Sequence, residues 1–157
     1  MNFFIHAPAI VAVLGVGVVF GTDAFCVIAL RPALVHLDDR ALVKVAGHLH
    51  IYADRRMPIP GAIGAVAALV AAVAAILSRS ATPAVAAGVA VACLVGWLVL
   101  YLRVAAPVNR EFARAALADQ TPTNARALQQ SWESVIVARV GLQAAALLAL
   151  CITLIAA

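Results

Sequence analysis

The sequence predicts an all-α protein: a four-helix transmembrane bundle with short amphipathic helices in two cytoplasmic connections. Three observations carry this. The 157 residues are 66% hydrophobic, with a mean hydropathy of +1.06. Only 11% of them are charged, where soluble domains carry about 25%. The apolar residues also gather into four runs, each close to the roughly 20 residues that cross a bilayer. The length suits a single integral membrane domain over residues 1–157.

The first run covers 8–30 and is interrupted by Thr22 and Asp23. No basic residue precedes it, and it is longer than the apolar region of a cleaved signal, so it is expected to be retained. The second run covers 60–77 and the third 83–102. The fourth covers 135–157 and holds Arg139 and Gln143 in its first turns.

Loop charge orients the spans. Segment 31–57 carries Arg31, Arg40, Lys44, Arg55 and Arg56, and segment 103–133 carries Arg103, Arg110, Arg114 and Arg126. With four spans these segments share one side, and the other side has only Arg79. Cytoplasmic loops concentrate Lys and Arg, so both long connections should be cytoplasmic and both termini outside, in the cell (inner) membrane.

Each connection has helical content. Asp38 and Asp39 can cap a helix whose Leu42, Val45, Ala46 and Leu49 recur at helical spacing. That pattern predicts a short amphipathic helix at the inner membrane surface. In the second connection Pro107 is expected to start a turn, "NREFARAALA" to be helical, "DQTPTN" to break it, and "ARALQQSWESV" to feed the fourth span. Lipid gives helices no hydrophobic reason to associate, so small residues should mark their contacts. "GVGVVFG" offers Gly17 and Gly21 as a GxxxG, for close packing within the bundle, for a protein partner, or for a homo-oligomer.

Asp23 is the most informative residue. It lies eight residues before Arg31, roughly 12 Å inside the boundary at about 1.5 Å per residue. A charged side chain at mid-membrane costs about 2.5–3.5 kcal/mol on insertion scales, so Asp23 should face the interior and find a partner or stay protonated. Arg139 enters from the same side, and Gln143 follows one turn deeper on the same face. A structural ion pair between Asp23 and Arg139 is expected, either as a clamp between the first and fourth spans or as the polar end of a pocket.

Of the four histidines, His48 and His50 fall on opposite helix faces and cannot share a metal there. His36, His50 and Asp54 could meet, but no spacing matches a specific metal motif. His6 lies at the other end, and no histidine sits mid-span to ligate haem. No metal and no cofactor are expected. Cys26, Cys93 and Cys151 stand singly in apolar runs and are read as small packing residues. The basic residues sit at membrane boundaries rather than in a stripe with aromatics, which excludes nucleic acid as a partner. Membrane lipid is the expected surrounding, with Arg55 and Arg56 against anionic headgroups.

Two patterns add a resemblance. One is "ALRPALVHLDDRALVKV". The other is "APVNREFARAAL" leading to "ARALQQSWESVIVARVGLQAAALLAL", with a Pro-x-Asn, a Trp and an Arg seven residues after it. Together they resemble the anthrone-oxygenase-like family of small four-span membrane proteins, mostly of unassigned function. The resemblance implies a cofactor-independent oxygenase that turns anthrones into anthraquinones with molecular oxygen. The matching residues are Pro107, Asn109, Trp132 and Arg139. Members often carry His or Asn four residues after the Trp, where this chain has Ile136.

These residues should converge with Asp23 at the cytoplasmic ends of the first and fourth spans. Asn109, Trp132 and Arg139 are then expected to bind substrate, and His48, His50 and Asp23 to carry protons. Read without the resemblance, Asn109 is a turn residue and Trp132 an interfacial anchor. Three functions fit. An oxidoreductase on a lipophilic phenol needs an apolar cavity that opens laterally. A non-catalytic subunit or accessory factor of a membrane complex predicts a filled bundle. A transporter has no inverted repeat to support it. The small size, the lack of a recognisable catalytic constellation and the glycine-rich first span favour the accessory role.

Overall fold

The computed structural model describes residues 3–157 as helices in chain order, with no strand among them. Helix α1 (Phe3–Phe25) passes through a π-helical turn (Cys26–Leu30) into α2 (Arg31–Leu34). After a short bend come α3 (Asp39–Arg56) and α4 (Pro58–Leu77). Helix α5 (Ala81–Leu100) runs through a second π-helical turn (Tyr101–Ala105) into α6 (Ala106–Leu117), and α7 (Ala125–Ala156) closes the chain. Four helical stretches are long and apolar enough to cross a membrane. The protein is an all-α multi-pass membrane protein.

Three helical stretches outrun the apolar runs that announce them. The first extends over Phe3–Leu34, the third over Ala81–Leu117 and the fourth over Ala125–Ala156. Pro107 does not start a turn; the helix passes through it. A proline ring in a regular helix clashes with the carbonyl four residues back. Here the wider π turn precedes the ring, with the Ala106 N–H donating to the Tyr101 carbonyl. Pro32 follows the other π turn in the same way, with Arg31 N–H donating to Cys26. The widened turn moves the clashing carbonyl aside and the helix continues. "DQTPTN" does end a helix, and Asp119 takes a left-handed φ of 50° there.

The four long helices form a ring in which α1 packs on α4, α4 on α5, α5 on α7 and α7 on α1. Below mid-height the ring is filled by Ala12, Val16, Ala68, Ala90, Leu94, Ala146 and Leu150. The α1–α4 contact is made by Gly15 and Gly64. A Cβ on Gly15 would lie 2.7 Å from the Pro60 carbonyl oxygen and 2.8 Å from the Gly64 nitrogen. Gly17 and Gly21 do not make this contact; a Cβ on either would meet nothing within 4 Å. The intramolecular close approach expected of them belongs to Gly15, because α1 turns that face toward α4.

The two connections pack on each other, α3 against α6, and cap one end of the ring. Asp38 caps α3 by accepting from the Ala41 N–H at 2.7 Å. The buried stripe of α3 is Leu42, Val43, Ala46, Gly47 and His50, whereas Val45 and Leu49 are exposed. The face is rotated from the expected one because Gly47 lets α6 come close. A Cβ there would lie 2.5 Å from the Phe112 carbonyl oxygen. Phe112, Val43, Val108, Trp132 and Ile136 form the core beneath the cap. Lys44 to Asp119 (2.9 Å), Arg126 to Asp39 (2.8 Å) and Arg31 to Glu133 (2.7 Å) tie the cap edges together.

Candidate functional site

A cavity of about 340 Å³ lies between the cap and the ring. Helix α1 contributes Val19, Thr22, Asp23 and Phe25, and its π turn Cys26 and Leu30. Helix α4 contributes Pro58, Gly61, Ala62 and Ala65, and the third span Trp97, Leu98 and Tyr101. The roof is Leu49, His50, Ala53, Asp54 and Met57, with Asn109, Trp132 and Arg139 at its polar margin. Phe25 and Leu98 are both exposed at membrane depth, 60% and 43%. The cavity therefore reaches the lateral surface of the bundle.

A buried ion pair closes one wall. Arg139 Nη2 donates to both Asp23 oxygens, at 3.0 and 2.8 Å, and Gln143 Nε2 donates to Asp23 Oδ2 at 2.9 Å. All three residues are buried. A lone charge here would carry the desolvation penalty uncompensated. Both Asp23 oxygens accept from α7, and Asp23 also lines the cavity. The Arg139 guanidinium also lies over the Tyr101 ring, 5.5 Å from its centroid.

A second polar group joins the roof to the third span. Asp54 Oδ1 accepts from the Tyr101 hydroxyl at 3.1 Å and from Asn109 Nδ2 at 2.9 Å. Asp54 is thus a hydrogen-bond hub between α3, the third span and α6. Among the described residues no group of three or more His, Cys, Asp or Glu side chains is placed to hold a metal. His36 is exposed on the outer edge of the cap.

The two cap histidines part company. His48 is exposed, and its Nδ1 donates to the Lys44 carbonyl at 2.8 Å; it does not line the cavity. His50 does, with its ring 5.9 Å from Trp132 and 6.4 Å from Phe112. Burial holds the His50 imidazole well below its ordinary range, at about 4; nearby Asp54 opposes this and Arg139 adds to it. At neutral pH His50 is therefore uncharged.

Asn109 and Trp132 are neither a turn residue nor an interfacial anchor. Asn109 lies within α6 and Trp132 within α7, and both are buried. Asn109 Oδ1 and Trp132 Nε1 have no hydrogen-bond partner, which is costly for buried polar atoms. Ile136 is sealed in the apolar core beside Trp132. A polar ring comes close to that tryptophan from α3 instead, as His50.

The sequence pointed to Asp23, Arg139, Asn109, Trp132 and His50, and the structure gathers all five on one cavity. It did not point to Trp97, Tyr101, Gly61, Met57 or the hub role of Asp54. A signal was present for the two aromatics. Trp97 and Tyr101 stand four residues apart on one helix face, and their rings stack at 6.3 Å with an interplanar angle of 19°. Met57, at the α3–α4 junction, receives the Thr22 hydroxyl at 3.5 Å.

In comparisons with known proteins the chain matches no family model, no curated protein and no solved structure.

Proposed function

We propose that the protein takes a lipophilic, phenol- or quinol-like molecule from the bilayer into this cavity, with His50 as proton acceptor at the polar end. The observation that carries the proposal is a cavity of about 340 Å³ with a mostly apolar lining, into which Asp23, His50, Asp54, Asn109 and Arg139 also reach. Small-molecule sites have this form, an apolar pocket with a few convergent polar groups. A neutral imidazole accepts the hydrogen bond of a phenolic hydroxyl, and the nearby Asp54 carboxylate offsets part of the burial that otherwise opposes its protonation.

On the anthrone-oxygenase-like resemblance, the reaction is oxygenation without a cofactor. His50 removes a proton from the activated CH₂ between two aromatic rings, and molecular oxygen adds to the carbanion. His50 returns its proton to the peroxide so formed, and water then leaves with the second hydrogen of the carbon, so that CH₂ and O₂ become C=O and H₂O. Asn109 and Trp132, each with an unpartnered polar atom, would orient the ring oxygen. The charge asymmetry of the loops supports the cell inner membrane, with the cap cytoplasmic and both termini outside.

An accessory subunit, held to another chain or a second copy through Gly17 and Gly21, draws on the open space beside both glycines. That role requires no cavity, so it takes second place.

The test uses intrinsic fluorescence. The chain has two tryptophans, Trp97 and Trp132, and both line the cavity. Saturable quenching by 2-naphthol of the protein in lipid nanodiscs is expected, weakened at least tenfold in His50→Ala. Quenching that rises only with the lipid-partitioned fraction of the probe and never saturates would refute the proposal.

A further inference from the structure

Gly61 lies in the second turn of α4 and lines the cavity between Val19 and Trp97. Nothing in the packing requires glycine there. A Cβ on Gly61 would lie 3.5 Å from Trp97 Cη2 and 3.6 Å from Val19 Cγ2, ordinary van der Waals distances. At Gly64, one turn deeper, a Cβ would come within 2.8 Å of the Val16 nitrogen, so that glycine is forced by helix contact. Backbone conformation does not require Gly61 either, since no glycine among the described residues has positive φ. Inside a helix glycine is less favourable than alanine.

What the missing side chain does supply is room. A second, small void of about 10 Å³ is lined by the same Gly61, Val19 and Trp97 together with Val16, Leu94 and Gln143. Gly61, with Val19 and Trp97, therefore borders both the main cavity and this smaller void. Beside it lie the stacked rings of Trp97 and Tyr101, both of which line the cavity. A ligand whose polar end meets His50 and Asp54 on α3 can extend its apolar body past these rings, toward Gly61.

We propose that Gly61 determines the size of the ligand body: the space it leaves open admits the end of the molecule remote from the polar group. The inference rests on the ligand-binding role proposed above and adds the residue that sets its selectivity.

The experiment compares 2-naphthol, with two fused rings, and 1-hydroxypyrene, with four, by tryptophan quenching in nanodiscs. Wild type, Gly61→Ala and Gly61→Leu are used, and thermal unfolding checks each fold. Gly61→Ala adds a methyl group at ordinary contact distance and keeps the fold, whatever becomes of the larger variant. The expected result is a several-fold loss of 1-hydroxypyrene affinity in Gly61→Ala and more than tenfold in Gly61→Leu, with 2-naphthol changed less than threefold in both. Unchanged affinity of a folded Gly61→Ala or Gly61→Leu for the larger probe overturns the role of Gly61 and leaves the cavity as a binding site. Absence of saturable binding of either probe to wild type removes the ligand-binding role itself, and the Gly61 inference with it.

Discussion

One nitrogen of Arg139 holds both carboxylate oxygens of Asp23 across 116 residues of chain, at 3.0 and 2.8 Å. The contact bolts α1 to α7 at the wall of the cavity, where both side chains are almost wholly buried. Breaking one side of a buried pair typically costs about 3–5 kcal/mol, because the other charge is left uncompensated; replacing both with apolar groups of similar volume costs far less. Asp23→Leu and Arg139→Met should each lower stability in detergent by that order, and the double variant by much less than either alone. Denaturant unfolding of the four proteins measures the coupling. Additive losses would show that the pair is not a coupled unit.

His50 gives the protein a pH dependence of known sign. Its imidazole titrates at about 4 in the folded protein, against an ordinary 6.5. Between these values the unfolded chain takes up a proton that the folded chain refuses, so stability is complete above about 6.5 and falls as pH drops toward 4. A shift of this size corresponds to roughly 3 kcal/mol at full protonation of the unfolded state. Thermal unfolding scanned from pH 7 to 4 should show this decline in wild type and a flatter profile in His50→Phe. Asp119, held below its ordinary range mainly by its hydrogen bond to Lys44, loses its contribution only below that window.

The glycines of α1 should separate cleanly. Gly15→Ala places a methyl group 2.7 Å from the Pro60 carbonyl oxygen and 2.8 Å from the Gly64 nitrogen. Backbone must move to accept it, at a cost of about 1–3 kcal/mol, as for other overpacked cores. Gly17→Ala and Gly21→Ala enter open space and should change the stability of the isolated protein by less than about 0.5 kcal/mol. Thermal unfolding in detergent reads all three. If Gly17→Ala instead alters the oligomeric state in mild detergent, the free face of α1 is an interface.

Legibility followed physical range. Runs of apolar residues long enough for a bilayer are a local property, so four spanning helices could be read directly. Asp23 and Arg139 stood out for the same reason, since each breaks an apolar run where a charge is expensive. Helix ends were less legible. The turn expected at Pro107 is absent because a π turn absorbs the proline, a compensation that apolar patterning does not announce. His48 and His50 were equivalent in sequence, two residues apart in one polar stretch, and only the docking of α3 on α6 turned one inward and the other to solvent.

The sequence by itself determined the class of solvent, the number of helices that cross it and the presence of charges that must be paired inside it. Those follow from composition and spacing, which act over one or two helical turns. Only the tertiary structure decided which glycine meets another helix, which histidine faces the cavity, and that Asp54 gathers Tyr101 and Asn109. Each of these depends on how far one helix is rotated about its axis against another. That rotation is set by the summed packing of the whole bundle, and no single stretch of chain contains it.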